Sequence, residues 1–410
     1  MSPRLKRGEP EQLQRIEALT LAFRPAAPID RRALFSGRTA QIGDLFGVVD
    51  QPGQHAVVYG ERGVGKTSLV TVAAEMLAAG DVLVARTICD RSDDFGSVWW
   101  KALDEIQMTV TRPGVGFTGR PREIPRAASG LLGGDATPYA VKRSLQTMAG
   151  ERRVAIFVDE FDRLASSDAR LLFADTIKML SDQLVGATVV LVGVADDVDQ
   201  LIAEHQSIER ALVQIHMPRM SRGELAEIVT GGIARARMTI DTDAVETIAR
   251  LAQGLPHYAH LLGQLSARIA LDGPRTRVRL GDVHDAVSEA IEKAQQSILD
   301  AYRRAAVGNR ETLYPQVVLA CALASSDEYG FFAPGDVRVR LGAIAGKEYA
   351  TRAFARHLEE LSGPGHGSVL QKRSESGGTR YRFVNPLLQP YVLMRGLAEG
   401  AVGPELLRAE

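Results

Sequence analysis

The sequence predicts an α/β fold: a parallel sheet with helices on both faces, followed by an all-α lid and a winged helix-turn-helix. Three observations predict it. From about residue 55, short apolar runs such as "HAVVYG", "VLVARTIC", "RRVAIFVDE" and "GATVVLVGVA" alternate with helix-like segments. After "VQIHMPRM" the strand-like runs stop, and residues 221–298 read as helices only. From 311, three helix-like segments precede two alternating strands. Uninterrupted Val/Ile/Leu strands bury both of their faces, which a parallel sheet sandwiched by helices allows.

The bulk numbers fit this division. A chain of 410 residues, at about 150 per domain, makes two or three domains. Lys+Arg 49 against Asp+Glu 50 gives a net charge of −1, so no global field draws the chain to nucleic acid or membrane. Any basic surface is local. Cys89 and Cys321 are the two cysteines, too few for a disulfide framework; buried thiols in a cytoplasmic protein are expected. The basic start "MSPRLKRGEP" is followed by no apolar h-region, and no run approaches the length of a membrane span.

Taken in order, residues 1–27 form an N-terminal arm with a helix over 11–21 and a Pro-rich exit. Residues 28–220 form the nucleotide-binding base. In it, "TSLVTVAAEMLAAG" is a helix closed by Gly80, and "DFGSVWWKALDEIQ" a helix after an Asp cap. Residues 109–136, rich in Gly, Pro and Arg, read as a long loop. Thr137 caps the next helix with Pro138 at its first position, and 168–184 is a further helix. Residues 221–299 are the lid, several of its helices opening on Ser or Asp. Residues 300–398 are the winged helix, with helices at roughly 312–324, 334–344 and 349–362, then strands around Ser376-Gly377-Gly378. Residues 399–410 are a tail.

The chemistry begins at "VVYGERGVGKTSLV". Gly60, Gly65, Lys66 and Thr67 match G-x-x-x-x-G-K-[ST], after a strand and at the start of a helix. Such glycines let backbone N–H groups turn inward around phosphates, and the helix start adds its positive end. Gly60, Glu61, Arg62, Gly63, Val64, Gly65, Lys66, Thr67 and Ser68 are therefore the expected nucleotide cradle. Lys66 is placed to reach the β/γ-phosphates and Thr67 to bind Mg²⁺. The lysine is conspicuous in a chain with eight lysines and forty-one arginines. Such a site needs a second acid for the metal and a base for water. In "VAIFVDEFD", an apolar strand runs into Asp159 and Glu160. Asp159 is the expected Mg²⁺ partner, and Glu160 the base.

This pair resembles Walker A and Walker B of the AAA+ ATPases. More narrowly, "LFSGR", "YGERGVGKTSL", "DEFDRL", "VLVGVADDVDQLI" and "GLPH" resemble the origin-recognition-like group, which borders the STAND signalling ATPases, over residues 28 to about 270. The resemblance implies an ATP/ADP-binding, Mg²⁺-dependent ATPase whose nucleotide state sets how lid and winged helix are presented. It places Pro28 and Ile29 around the adenine; a simple connecting arm is the alternative. The sensor-1 position, usually Asn or Thr, holds Asp196, a carboxylate that a γ-phosphate repels unless a metal or base offsets it. Arg210 falls at the arginine-finger position, which implies self-association with the finger acting in trans; a solvent-facing arginine is the alternative. The sensor-2 arginine is replaced in Gly254-Leu255-Pro256-His257, so Pro256 and His257 make at most a weaker contact. That departure implies slow hydrolysis.

Two stretches are candidate nucleic-acid surfaces. The expected wing carries Lys372, Arg373, Arg380 and Arg382 against Glu375, suited to duplex DNA phosphates. Arg352, Arg356 and His357 in the helix before it are diluted by Glu348, Glu359 and Glu360. The 109–136 loop carries Arg112, Arg120, Arg122 and Arg126. Trp99 and Trp100 are expected to divide between the core and a domain interface. The sequence thus predicts a nucleotide-dependent switch or loader that touches DNA through its winged helix. The rival is a STAND-like signalling ATPase whose winged helix docks an unknown protein.

Overall fold

The computed structural model describes residues 9–25, 37–112, 122–150, 152–196, 198–202, 208–273, 275–306, 313–375 and 378–408. The chain divides into two compact units: residues 29–61 with 65–217, and residues 1–28, 62–64 and 218–410. Helix α1 (Glu9–Ala22) opens the described chain and belongs to the second unit.

The first unit starts with α2 (Thr39–Asp50), β1 (His55–Gly60), α3 (Lys66–Ala79), β2 (Leu83–Ile88) and α4 (Phe95–Asp104). A ribbon follows, β3 (Gln107–Arg112) and β4 (Arg122–Ala127), then α5 (Pro138–Ala149), β5 (Val154–Asp159), α6 (Ser167–Asp182), β6 (Ala187–Val194) and β7 (Leu212–His216). Five strands form one sheet in the order β2-β5-β6-β1-β7, every pair parallel. The six residues of β5 are all buried, which is why its sequence is continuously apolar rather than alternating. An aromatic cluster anchors one face: Trp99 stacks on Phe173 at 5.5 Å, and Phe95 and Phe161 meet Phe173 edge-on.

Helix boundaries follow local chemistry. Asp94 and Ser97 form a reciprocal capping box at α4, Thr137 caps α5 ahead of Pro138, and Ser166 caps α6. Each cap satisfies a backbone N–H that the helix itself leaves without a partner.

The stretch 109–136, expected as a loop, contributes to a strand pair and a 3₁₀ turn among the described residues. Residues 107–112 pair antiparallel with 122–127, Thr109 facing Pro125, and a 3₁₀ turn covers 128–131. "QMTVTR" and "REIPRA" are strand-like only in their pairing. Pro125 cannot donate to a ladder, which a two-stranded ribbon tolerates because each strand is an edge.

The second unit continues with α7 (Arg222–Arg235), β8 (Thr239–Ile240), α8 (Thr242–Leu251), α9 (Pro256–Asp272), β9 (Arg277–Val278), α10 (Leu280–Glu292) and α11 (Gln296–Ala306). Phe23, just past α1, is 1% exposed. It fills a slot that only glycine leaves open: a Cβ at Gly232 of α7 would sit 2.3 Å from its ring, and one at Gly263 of α9 would sit 2.8 Å away.

The chain ends with α12 (Tyr314–Leu323), α13 (Pro334–Ala345), α14 (Ala355–Ser362), the hairpin β10 (Leu370–Glu375) and β11 (Gly378–Phe383), α15 (Leu388–Ala398) and α16 (Pro404–Arg408). Phe332, ahead of α13, bridges to Tyr381 of β11, so the hairpin is paired to the helical segment. Buried Gln389 of α15 donates to Ala322 O and Gln253 Oε1, and accepts from Arg219 at 2.6 Å. Tyr258 of α9 donates to Leu387 O at 2.7 Å. These bonds tie the C-terminal helices to the helices that precede them within this unit. No helix among the described residues is long and apolar enough to cross a membrane.

Candidate functional site

The loop between β1 and α3 is built on backbone angles that side chains disfavour. Gly60, Gly63 and Gly65 have φ of 149°, 90° and 98°, all in the region glycine occupies without strain. At Gly60 a Cβ would also lie 2.4 Å from Met217 O, so the close approach of the chain after β7 excludes any larger residue. Gly65 sits at the N-cap of α3, and no side chain caps that helix. Its first N–H groups therefore face the loop, with the positive end of the helix dipole behind them.

Lys66 lies inside this loop, 8% exposed. Its Nζ donates to Gly60 O and Glu61 O, both at 2.9 Å, so the loop's own carbonyls position the ammonium. Thr67 and Ser68 follow on the first turn of α3, half-buried. Glu61 and Gly63 are half-buried, Arg62 is exposed and Val64 is buried.

Two strands away, β5 ends at Asp159, 5% exposed. Because β1, β6 and β5 run parallel, their C-terminal ends lie on one edge of the sheet, where ligands bind in open α/β folds. Asp159 Oδ1 accepts from Glu160 N at 2.8 Å. Glu160 has φ of 53°, a left-handed conformation that costs a non-glycine residue free energy. Its carboxylate is 2.9 Å from Arg163.

The sequence reading missed the braces behind this edge. Asp162 Oδ1 accepts from Val194 N at 2.8 Å, joining the turn after β5 to the end of β6. Arg170 of α6 donates to Asp162 O, Leu164 O and Gln200 O. Cys89 N donates to Asp159 O at 2.8 Å, and Asp93, 7% exposed, holds Lys101 Nζ at 2.7 Å. Asp162 was visible in "DEFDR"; Arg170, Asp93 and Lys101 carry no local signal. Burial pushes the Cys89 thiol up to about 12, so it is a structural thiol rather than a nucleophile.

Asp196 follows β6, half-buried, its N–H donating to Gln200 Oε1 at 3.1 Å. Arg210 is exposed on a 3₁₀ turn over 209–211, directly before β7. Pro256 is the first residue of α9. His257 Nδ1 donates to Pro25 O at 2.6 Å. Burial, partly offset by that carbonyl, lowers its pKa, and the ring is neutral near pH 7. Pro28 and Ile29 lie outside the described residues.

The basic hairpin differs from expectation in how its cations are engaged. Lys372 lies 2.6 Å from Glu359 of α14, and Arg380 lies 2.9 Å from Asp327. Arg373 and Arg382 stack 5.6 and 4.6 Å from the Phe331 ring centroid, and Arg382 Nε also donates to Gln371. On α14, Arg356 is spent on Glu360 at 2.8 Å. Trp99 is fully buried and Trp100 is 55% exposed.

A parallel five-stranded sheet, helices on both faces and a glycine-bent loop ending in Gly-Lys-Thr define the class: a P-loop NTPase. Residues 27–310 match the family Novel STAND NTPase 1 (nSTAND1), and the chain belongs to that family. Among solved structures it is similar to the Aeropyrum pernix ORC2 protein in its ADPNP–ADP complexes, at 16% identity and TM-score 0.50, covering 95% of this chain and 97% of that one. It is also similar to the Walker-type ATPase paby2304 of Pyrococcus abyssi, at 16% identity and TM-score 0.52, covering 90% and 98%. At this identity the likeness is one of fold. Among curated protein sequences none matches.

Proposed function

We propose that this chain binds ATP with Mg²⁺, hydrolyses it slowly, and works as a STAND-type switch. The observation that carries the reading is the loop itself. Three positive-φ glycines, an uncapped α3 and a buried lysine face the sheet edge on which Asp159 ends. Backbone N–H groups and Lys66 suit a polyphosphate, while the hard oxygens of Thr67 and Asp159 suit Mg²⁺. The metal, when bound, neutralises charge on the phosphates. Lys66 adds its own charge there, and Glu160 accepts the proton of the attacking water. Pro28, Ile29 and the remaining loop residues would enclose the nucleotide, and Asp196, Pro256 and His257 would stand at the sensor positions in place of the usual Asn or Thr and the usual arginine. Slow turnover follows from those two replacements. Arg210, exposed, is the group a neighbouring copy would receive.

We read residues 300–398 as a winged helix that docks protein. The support is the pairing of its cations: Glu359, Asp327 and the Phe331 ring engage the side chains that DNA phosphates would need. Membership of a STAND family is consistent with that output. DNA contact is the second reading, favoured by four basic side chains on one short hairpin. Anisotropy of labelled duplex DNA in ATP and in ADP across a salt series tests it. Tight binding with a steep salt slope would sink the protein-docking reading.

A further inference from the structure

We propose that the groove at the start of α4 and α6 is a docking site for an arginine-bearing segment of a partner protein. The groove has a volume of about 610 Å³ and is lined by the starts of α4 and α6, the helices that follow β2 and β5 along the chain. Its walls include Asp94, Trp100, Leu132, Asp135, Asp168 and Leu172. Trp100 neighbours a tryptophan that is fully buried, yet presents more than half of its own surface to solvent. Successive residues on a helix point about 100° apart, so α4 commits one indole to the core and holds the other at the groove.

The charge is one-sided. Asp94, Asp135 and Asp168 are all exposed at the rim, and among the described residues no lysine or arginine lines the groove. Lys101, the cation of α4, is held by Asp90 and Asp93. Helix starts oppose this field, because each carries about half a positive charge. Three are nearby: those of α4 and α6, and that of α5, whose cap Thr137 directly follows groove residue Ala136. Their N3 N–H groups are already satisfied, by Asp94 at 2.7 Å, Ser166 at 3.1 Å and Thr137 at 3.2 Å. Three carboxylates outweigh three half-charges, so the groove favours a cation over an anion.

Arginine fits this chemistry better than lysine. Its planar guanidinium stacks on an indole and bonds a carboxylate through two N–H groups at once. Buried Phe95 and Leu132, with half-buried Leu172, form an apolar floor for an aliphatic neighbour. An aromatic anchor beside an apolar floor and a polar rim is the composition that concentrates binding energy at protein interfaces.

The test uses the full chain and a fluorescein-labelled Leu-Arg-Leu-Arg peptide, followed by anisotropy and, with an unlabelled copy, by tryptophan emission. Saturable binding is expected, with a blue shift of the exposed indole and weakening as salt rises. Trp100→Ala and the pair Asp135→Asn/Asp168→Asn should each weaken binding at least tenfold. A counterpart peptide with citrulline for arginine should lose it. Should the double variant melt below the parent chain, Asp135→Asn alone, in the loop before α5, carries the charge test and is expected to weaken binding about threefold. Equal affinity for the citrulline peptide, no saturable binding, or charge variants that bind like the parent would each overturn the proposal. A self-association that Trp100→Ala abolishes would overturn it too, giving the face to a second copy.

Discussion

The β1–α3 loop and the β10–β11 hairpin both present cations, and the two differ in what holds them. Lys66 is buried and held by two carbonyls of its own loop. Carbonyls are neutral acceptors, so these two bonds position the ammonium without cancelling its charge. The hairpin's Lys372 and Arg380 are held by carboxylates, and Arg373 and Arg382 by an aromatic face. Much of their field is cancelled before any phosphate arrives. A count of basic residues treats the two regions alike; the nature of the partner separates them.

The largest expected effect breaks the first region. Lys66→Ala should remove binding of a fluorescent ATP analogue, lowering affinity by about a hundredfold or more, since a charge-assisted contact in a buried loop is lost. Next, Glu160→Gln should keep that binding and slow phosphate release by about a hundredfold or more, the usual contribution of a positioned general base. Parent-rate release by Glu160→Gln would show that another group handles the water.

A pH effect on stability comes third. Burial drives the pKa of His55 and of His260 down to about 4. His55 Nδ1 accepts from Val189 N, and its Nε2 has no partner, so the folded state holds the ring neutral. With the folded value below the unfolded 6.5, the unfolded chain binds more protons between the two. Stability is therefore full above about pH 6.5 and falls as pH drops toward 4. From pH 7.5 to 5 the loss is about 2 kcal/mol per histidine. Urea midpoints at the two pH values measure it. His55→Asn, whose amide oxygen can accept from Val189 N, should flatten the His55 share; an unchanged pH dependence would refute the assignment.

The smallest expected effect sharpens the second region. Lys372→Ala with Arg380→Ala removes two surface ion pairs, each worth 0–1 kcal/mol, and should lower the melting temperature by a degree or two while leaving weak DNA binding unchanged. A tenfold loss of DNA affinity would return the β10–β11 hairpin to nucleic acid.

Much of the fold was legible because its determinants are local. Apolar strands such as "VAIFVD" are continuous where helices cover both faces. Thr137-Pro138 announces a helix start through the valences of one peptide, and the glycine spacing around Gly60 and Gly65 foretells positive φ. The ribbon over 107–127 was not legible: "REIPRA" is a strand only because "QMTVTR" lies beside it, and Pro125 argues against it in isolation. Asp162 stands within the motif "DEFDRL", but its bond to Val194 depends on β6 being the neighbour of β5.

By itself, then, the sequence determined the parallel α/β core, the glycine-bent loop with Lys66, and the acid pair at the end of β5, because each follows from residues within one turn or one strand of each other. Only the tertiary structure decided which charges were already spent. Glu359 meets Lys372, Asp327 meets Arg380, and Asp93 meets Lys101, while Trp100 stands open beside Asp135 and Asp168. Coulomb interactions fall off with distance and with the dielectric between charges, and neither is written in the order of residues along the chain.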